Sequence, residues 1–82
     1  MKNDISNIIE ELRAVVSDVL GSEVLELKPE MTAQDVDGWD SMSHVKILYA
    51  CELKWNIRLS LEELSTLENI GDLVEIIKNS LH

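Results

Sequence analysis

Residues 35–45 read DVDGWDSMSHV, and the place of Ser41 in this stretch decides how the chain is organised. Asp35, Asp37, Gly38 and Asp40 suit a turn better than a helix interior. From Ser41 onward the character changes, and Met42, Val45, Leu48, Tyr49 and Trp55 fall mostly on one helical face. The spacing predicts a helix from Ser41 to about Trp55. Asp40 is its N-cap, because a carboxylate there can accept from the amide groups that a helix start leaves unpaired. Asn56 is its stop. An acidic loop thus delivers one serine to a helix start, with a tryptophan two residues before it.

Working outward, residues 22–40 hold the only proline together with Thr, Asp and Gly. They read as a long loop pinned to the core by Val24, Leu25, Leu27, Met31 and Val36. A connection of this length is uncommon in a compact domain and is often functional. Before it, Ile5, Ile8, Ile9, Leu12, Val15, Val16, Val19 and Leu20 follow helical spacing, which predicts a helix over about 4–20. Asn3 or Asp4 would cap it and Gly21 would end it. After the central helix, LSLEELSTL predicts a short helix near 61–65 with Ser60 as cap. Asn69 then precedes Asp72 by three residues, as in a capping box with Asp in place of Glu. Ile70, Leu73, Val74, Ile77 and Leu81 would form the buried face of the last helix. The fold class is all-α: a small four-helix bundle of three main helices and one short helix, with a long first loop, forming one domain over residues 1–82.

Eighty-two residues with 45% hydrophobic content are enough for one small core. There is no Phe, so that core must be built from Leu, Ile and Val. Sixteen acids against seven bases give a formal charge of −9. Phosphate backbones and anionic lipid repel such a chain, which argues against nucleic acid and membrane surfaces as partners and for basic patches on other proteins. The single cysteine, Cys51, cannot close an internal disulfide. With no charged-then-apolar leader, the chain is expected in the cytoplasm, as a monomer.

Ser41 has two readings. In the first, Asp40-Ser41 is only a helix cap. In the second, the serine carries a group: a phosphate ester would be favoured by the positive end of the helix, and the adjacent carboxylate could hold a metal ion during its transfer. His44, three residues on, could be offered as the base of a Ser–His pair. No Gly-x-Ser-x-Gly elbow and no orienting acid accompany it, which makes it an exposed partner contact instead. Asp35, Asp37 and Asp40 lie near Gly38 but lack the spacing of a calcium loop. Cys51, His44 and His82 have no zinc spacing. No catalytic residue and no metal site is expected, and Cys51 reads as a small buried residue of the central helix.

Over roughly residues 5–78 the chain resembles the acyl carrier proteins of the phosphopantetheine-binding carrier family. Those proteins place Asp-Ser-Leu at the start of the second helix of a four-helix bundle, where this chain has Asp40-Ser41-Met42. The run LEELSTLENIGDLVEII is similar to the family's ending. The motif gains its specificity from its place in that whole pattern. The resemblance implies that Ser41 carries 4′-phosphopantetheine, transferred from coenzyme A by a separate phosphopantetheinyl transferase in a magnesium-dependent step. Asp40 would then cap the helix and lie near the metal during loading. The arm's thiol would hold acyl groups as thioesters, and the protein would be a carried substrate rather than an enzyme. Expected partners are acyl-loading and acyl-transferring enzymes (a ketosynthase, an acyltransferase or a ligase), met through Trp39, Met42, His44, Val45 and Lys46.

Met42 replaces the family's usual Leu with little change in volume. Asp-Ser-Met is also found in D-alanyl carriers, so an aminoacyl carrier is the alternative within the family. A cofactor-free acidic helical interaction module is the alternative outside it. Gly38-Trp39 ahead of Asp40-Ser41 is more similar to specialised free-standing acyl carriers than to the housekeeping fatty acid carrier. In housekeeping carriers the second helix is an acidic strip. Here residues 41–55 hold one acid, Glu52, beside Lys46, Lys54 and His44. The expectation is therefore a dedicated carrier for a specialised fatty acyl or polyketide-type pathway.

Overall fold

The computed structural model describes residues 5–60, 62 and 67–81. Three α-helices have defined bounds among the described residues, α1 (Ile5–Leu20), α2 (Ser41–Trp55) and α3 (Ile70–Ser80), and a 3-10 turn, Ala33–Asp35, lies inside the long first loop. The starts of α2 and α3 fall where the sequence places them. Asn3 and Asp4, offered as caps for α1, and most of the short helix expected near 61–65 lie outside the described residues.

The hydrophobic periodicity of α1 produces a stripe of Ile8, Leu12 and Val16 with no solvent exposure. It faces both α2 and α3. Against it pack Ile47, Leu48 and Cys51 from α2 and Ile70, Leu73, Val74 and Ile77 from α3. The connections complete the core with Leu27, Val36, Trp39 and Leu59. Trp55 ties α2 to α1 by donating its Nε1–H to Glu11 at 2.9 Å. Gly21, with φ of +71°, ends α1 in the left-handed conformation as expected, its N–H reaching Ser17 at 3.0 Å.

The first turn of α3 is partnered in an unusual way. Asn69 Oδ1 accepts the Asp72 N–H at 2.9 Å, which is the expected cap. Asp72 returns its carboxylate to the N–H of Glu68, one residue earlier than a capping box predicts. The two remaining amides look across to the long loop: Ile70 N–H donates to Met31 C=O at 2.7 Å, and Gly71 N–H to Pro29 C=O at 2.8 Å. A side chain at position 71 would crowd this approach. A Cβ there would lie 3.1 Å from the Pro29 carbonyl oxygen and 3.2 Å from Pro29 Cβ. The loop is further held by Thr32, whose N–H donates to Asp35 Oδ2 at 2.9 Å, and by Arg13, whose Nη1 donates to Val24 C=O at 2.9 Å.

Two expectations from the sequence need correcting. Leu25 does not pin the loop: it is 80% exposed, while Leu27 and Val36 are buried and Val24 and Met31 half-buried. The apolar face assigned to α2 is mostly its outer face. Met42, Val45 and Tyr49, joined by Leu53, are each more than 60% exposed, and Leu48 is the one member of the assigned set that lies in the core. Helix α2 is apolar on both sides, so periodicity by itself cannot choose between them.

This orientation can be tested with two adjacent residues. Leu48→Ala is expected to cost about 2–5 kcal/mol in urea unfolding, as a buried leucine truncated to a cavity. Tyr49→Ala should change stability by no more than about 0.5 kcal/mol. A larger loss at Tyr49 than at Leu48 would mean that α2 is turned the other way.

Candidate functional site

The loop delivers α2 through a turn at residues 36–39, closed by Trp39 N–H to Val36 C=O at 3.2 Å. Gly38 sits at its third position with φ of +89°, a conformation that a side chain disfavours. Asp40 adopts extended backbone next and is the N-cap, as the sequence predicts: Oδ1 accepts the Ser43 N–H at 2.8 Å. The Asp40 carbonyl accepts the His44 N–H, also at 2.8 Å. Hydrogen bonding from the Ser43 amide, helped by its side chain, holds the Asp40 carboxyl below the usual carboxylate range. Ser41 is the first helical residue and is exposed.

Trp39 lies in the core with 9% of its surface exposed. The sequence offers it both as an aromatic cover on the core edge and as a partner contact, and its burial fits the first of these. Its indole Nε1–H reaches out of the core and donates to Nδ1 of His44 at 3.0 Å. The rings are 6.0 Å apart, tilted by 37°. An indole nitrogen can only donate, so Nδ1 must be the accepting nitrogen and the neutral imidazole carries its proton on Nε2. This removes the Ser–His nucleophile reading: one ring nitrogen is occupied by Trp39 and the other already holds a proton. His44 is half-buried rather than freely exposed, whereas Met42, Val45 and Lys46 are exposed. An open cleft of about 380 Å³ beside the serine is lined by Ala33, Trp39, Asp40, Ser41 and His44.

The Trp39–His44 pair is not legible from spacing, because the histidine invites comparison with the serine three residues back rather than with the tryptophan five residues back. Glu52 counts among the charges of α2 in the sequence, yet its Oε2 accepts the Leu59 N–H at 2.9 Å. The outer face of α2 therefore presents apolar side chains and Lys46. Cys51 is fully buried, and burial, with a smaller contribution from Glu52, pushes its thiol up to about 12. Such a thiol stays protonated and is a poor nucleophile. Among the described residues no three of His, Cys, Asp and Glu are grouped to hold a metal ion. Asp35, one of the loop acids, is engaged by Thr32.

The lowered Asp40 pKa has a definite sign. Its folded-state value lies below the unfolded one, so its contribution to stability is complete above the ordinary Asp pKa of about 3.9 and is lost as pH falls through the folded value. Asn caps about as well as Asp and does not titrate. The stability difference between the parent and Asp40→Asn should therefore be flat above about pH 5. Below about pH 4 it should move against the parent. Thermal unfolding of both proteins across that range measures it, and a difference that stays constant down to the acid limit would contradict the cap.

No sequence-family profile matches the chain. It is 31% identical over 71 residues to an acyl carrier protein of Clostridium acetobutylicum, covering 87% of this chain and 92% of that protein. It is 30% identical over 73 residues to an acyl carrier protein of Acidothermus cellulolyticus, covering 89% and 87%. Among solved structures, the solution NMR structure of a holo acyl carrier protein from Geobacter metallireducens matches with a TM-score of 0.82 at 30% identity, over 89% of this chain and 84% of that one. A helical bundle with a capped, exposed serine opening α2, matched along nearly its whole length by these relatives, places the chain in the acyl carrier protein family, whose members are carriers and not enzymes.

Proposed function

We propose that Ser41 carries 4′-phosphopantetheine and that the protein is a free-standing acyl carrier serving a specialised fatty acyl or polyketide-type pathway in the cytoplasm. One observation carries the attachment: the serine is exposed as the first residue of α2, beside an open cleft, at the end of a loop fastened along its length. The residues fit such a group. The chain's one thiol is buried and protonated, so a thioester has to be held on a thiol that the chain does not itself supply. When bound, the arm supplies that thiol. The exposed flank of Asp40 is free to neighbour a metal ion while a phosphopantetheinyl transferase works on Ser41.

The choice of partners rests on α2. Its outer stripe of Met42, Val45, Tyr49 and Leu53 is apolar, Lys46 is exposed beside it, and its one acid is engaged inward by Leu59. Contiguous exposed apolar side chains suit an interaction surface. Such a face fits an acyltransferase, ketosynthase or ligase with an apolar docking patch better than one with a basic patch. Asp40-Ser41-Met42 also fits an aminoacyl carrier of D-alanyl type, but the relatives found are named acyl carrier proteins, which favours an acyl cargo.

Incubation with coenzyme A, magnesium and a broad-specificity transferase should add the mass of one phosphopantetheinyl group to the parent and none to Ser41→Ala. An unmodified parent, or a modified Ser41→Ala, would overturn the attachment. In the same assay Asp40→Asn, which keeps the cap, should load more slowly than the parent; an equal rate would remove the metal-neighbour role.

Charge tests the partner reading. Acyl transfer from a housekeeping fatty acid transacylase should be slow to the loaded parent and faster to Lys46→Glu. The gain should shrink with added salt, because exposed charges are screened beyond about 8 Å at physiological ionic strength. Ser43 is left unchanged in this test because its amide and hydroxyl both serve Asp40. A parent already as fast as a housekeeping carrier would show that α2 charge does not select partners.

A further inference from the structure

We infer that His44, held in place by Trp39, is the residue that positions the phosphodiester on Ser41, donating to it from Nε2–H. The inference rests on attachment at Ser41 and adds to it a contact made by this chain's own side chains. It begins with the donors at the start of α2. A helix N-terminus ordinarily offers free amide groups to an anion. Here one of them, the Ser43 N–H, is taken by the Asp40 carboxylate, while the His44 N–H makes the first backbone bond of the helix, to the Asp40 carbonyl. Asp40 is ionised over the working pH range, since its pKa is lowered. A phosphodiester on Ser41 would thus carry its negative charge next to a carboxylate that already uses part of the helix's donor capacity. A donor on the side away from Asp40 would offset that charge.

His44 is placed to be that donor. Residues three apart on a helix are surface neighbours, with Cβ atoms about 5–6 Å apart. Helical side chains lean toward the N-terminus, so residue 44 covers the turn in which residue 41 sits. The structure shows that lean directly, since the imidazole reaches back to residue 39. The indole bond does two things. It fixes the ring in one orientation, and it makes Nδ1 the acceptor, which leaves the proton on Nε2. Among the described residues Nε2 has no acceptor of its own, and His44 shares a cleft with Ser41. Trp39 is anchored in the core, so it acts as a positioning residue for the histidine: a tautomer set by one neighbour prepares the opposite nitrogen for the other.

The test uses the full chain, labelled with ¹⁵N and loaded enzymatically with phosphopantetheine, and reads resonances rather than turnover. Intact mass is recorded first for the parent, His44→Ala, His44→Gln and Trp39→Phe. A parent that takes no adduct shows that the attachment reading has failed, a result distinct from any change in the resonances of a loaded protein. In the unloaded parent the His44 ring should show the tautomer with its proton on Nε2. Loading should shift Nε2 and its proton more than Nδ1. The ³¹P resonance of the loaded parent should be displaced in His44→Ala and largely restored in His44→Gln, whose side-chain amide keeps a donor near the same place. Trp39→Phe should displace it in the same direction, with the histidine present but no longer oriented. Should Trp39→Phe fail to fold, the parent ring shifts and the two His44 variants decide the matter. The inference is overturned if the ³¹P line is the same in the parent and His44→Ala, or if loading leaves Nε2 unmoved.

Discussion

Three amide groups open α3, and each needs an acceptor that the helix itself cannot provide. One is met by the Asn69 side chain, and two by the carbonyls of Pro29 and Met31 in the long loop. This is the constraint on which the site depends. A loop running from α1 to α2 without a ladder of its own would leave the approach to Ser41 poorly defined. Fastened at residues 29 and 31 to the start of α3, it has a fixed point in its middle. From there each step is locally determined: the Thr32–Asp35 bond and 3-10 turn, Val36 in the core, the glycine turn, Trp39 in the core, then the Asp40 cap. Proline suits this arrangement, because its missing N–H is irrelevant where only the carbonyl is used. Gly71 is its counterpart, since a Cβ there would press on the Pro29 carbonyl and the two backbones would have to move apart.

Much of this is readable from the amino acids, and the unread parts have identifiable causes. The bounds of α2 and the start of α3 come from caps, Asp40 and Asn69, whose side chains act on their own local backbone. Local chemistry leaves a local signature. The bond from Gly71 to Pro29 joins backbone to backbone across more than forty residues, and neither partner has a side chain that announces it. The inner and outer faces of α2 are confused in the sequence for a different reason. Met42, Val45, Tyr49 and Leu53 obey the same helical spacing as Ile47, Leu48 and Cys51, and only the packing of α1 decides which set is covered. Leu25 is assigned to the core because it is apolar; in an irregular segment no period exists to check that assignment. The position of Ser41 and its cap are legible, but the tie between Trp39 and His44 spans the boundary between a turn and a helix, where neither periodicity applies.

The chemistry of the chain is quiet in a way that suits a carrier. Its thiol is buried and protonated. The imidazole of His44 is engaged at Nδ1 by an indole. Glu52 holds a backbone amide, and Asp35 holds Thr32. Groups that in another setting would act as nucleophile, base or ligand are used here to fix the conformation of the connections. A protein that presents reactive intermediates to other enzymes gains from having no reactive group of its own near them, since a free thiolate beside a thioester would invite exchange.

The apolar outer stripe of α2 has a consequence for the behaviour of the molecule in solution. Exposed Met, Val, Tyr and Leu side chains in a row are sticky toward copies of themselves as much as toward a partner. The net charge of −9 is carried on other elements, namely α1, the long loop and the chain after α2, since α2 itself holds two lysines and one acid. Two copies meeting stripe to stripe would bring two strongly negative bodies together, and that long-range repulsion opposes dimerisation without placing a single acid on the stripe. A partner of opposite or neutral charge meets no such barrier. Acidity placed off the stripe would in this way work against self-association of a hydrophobic surface without altering the surface itself.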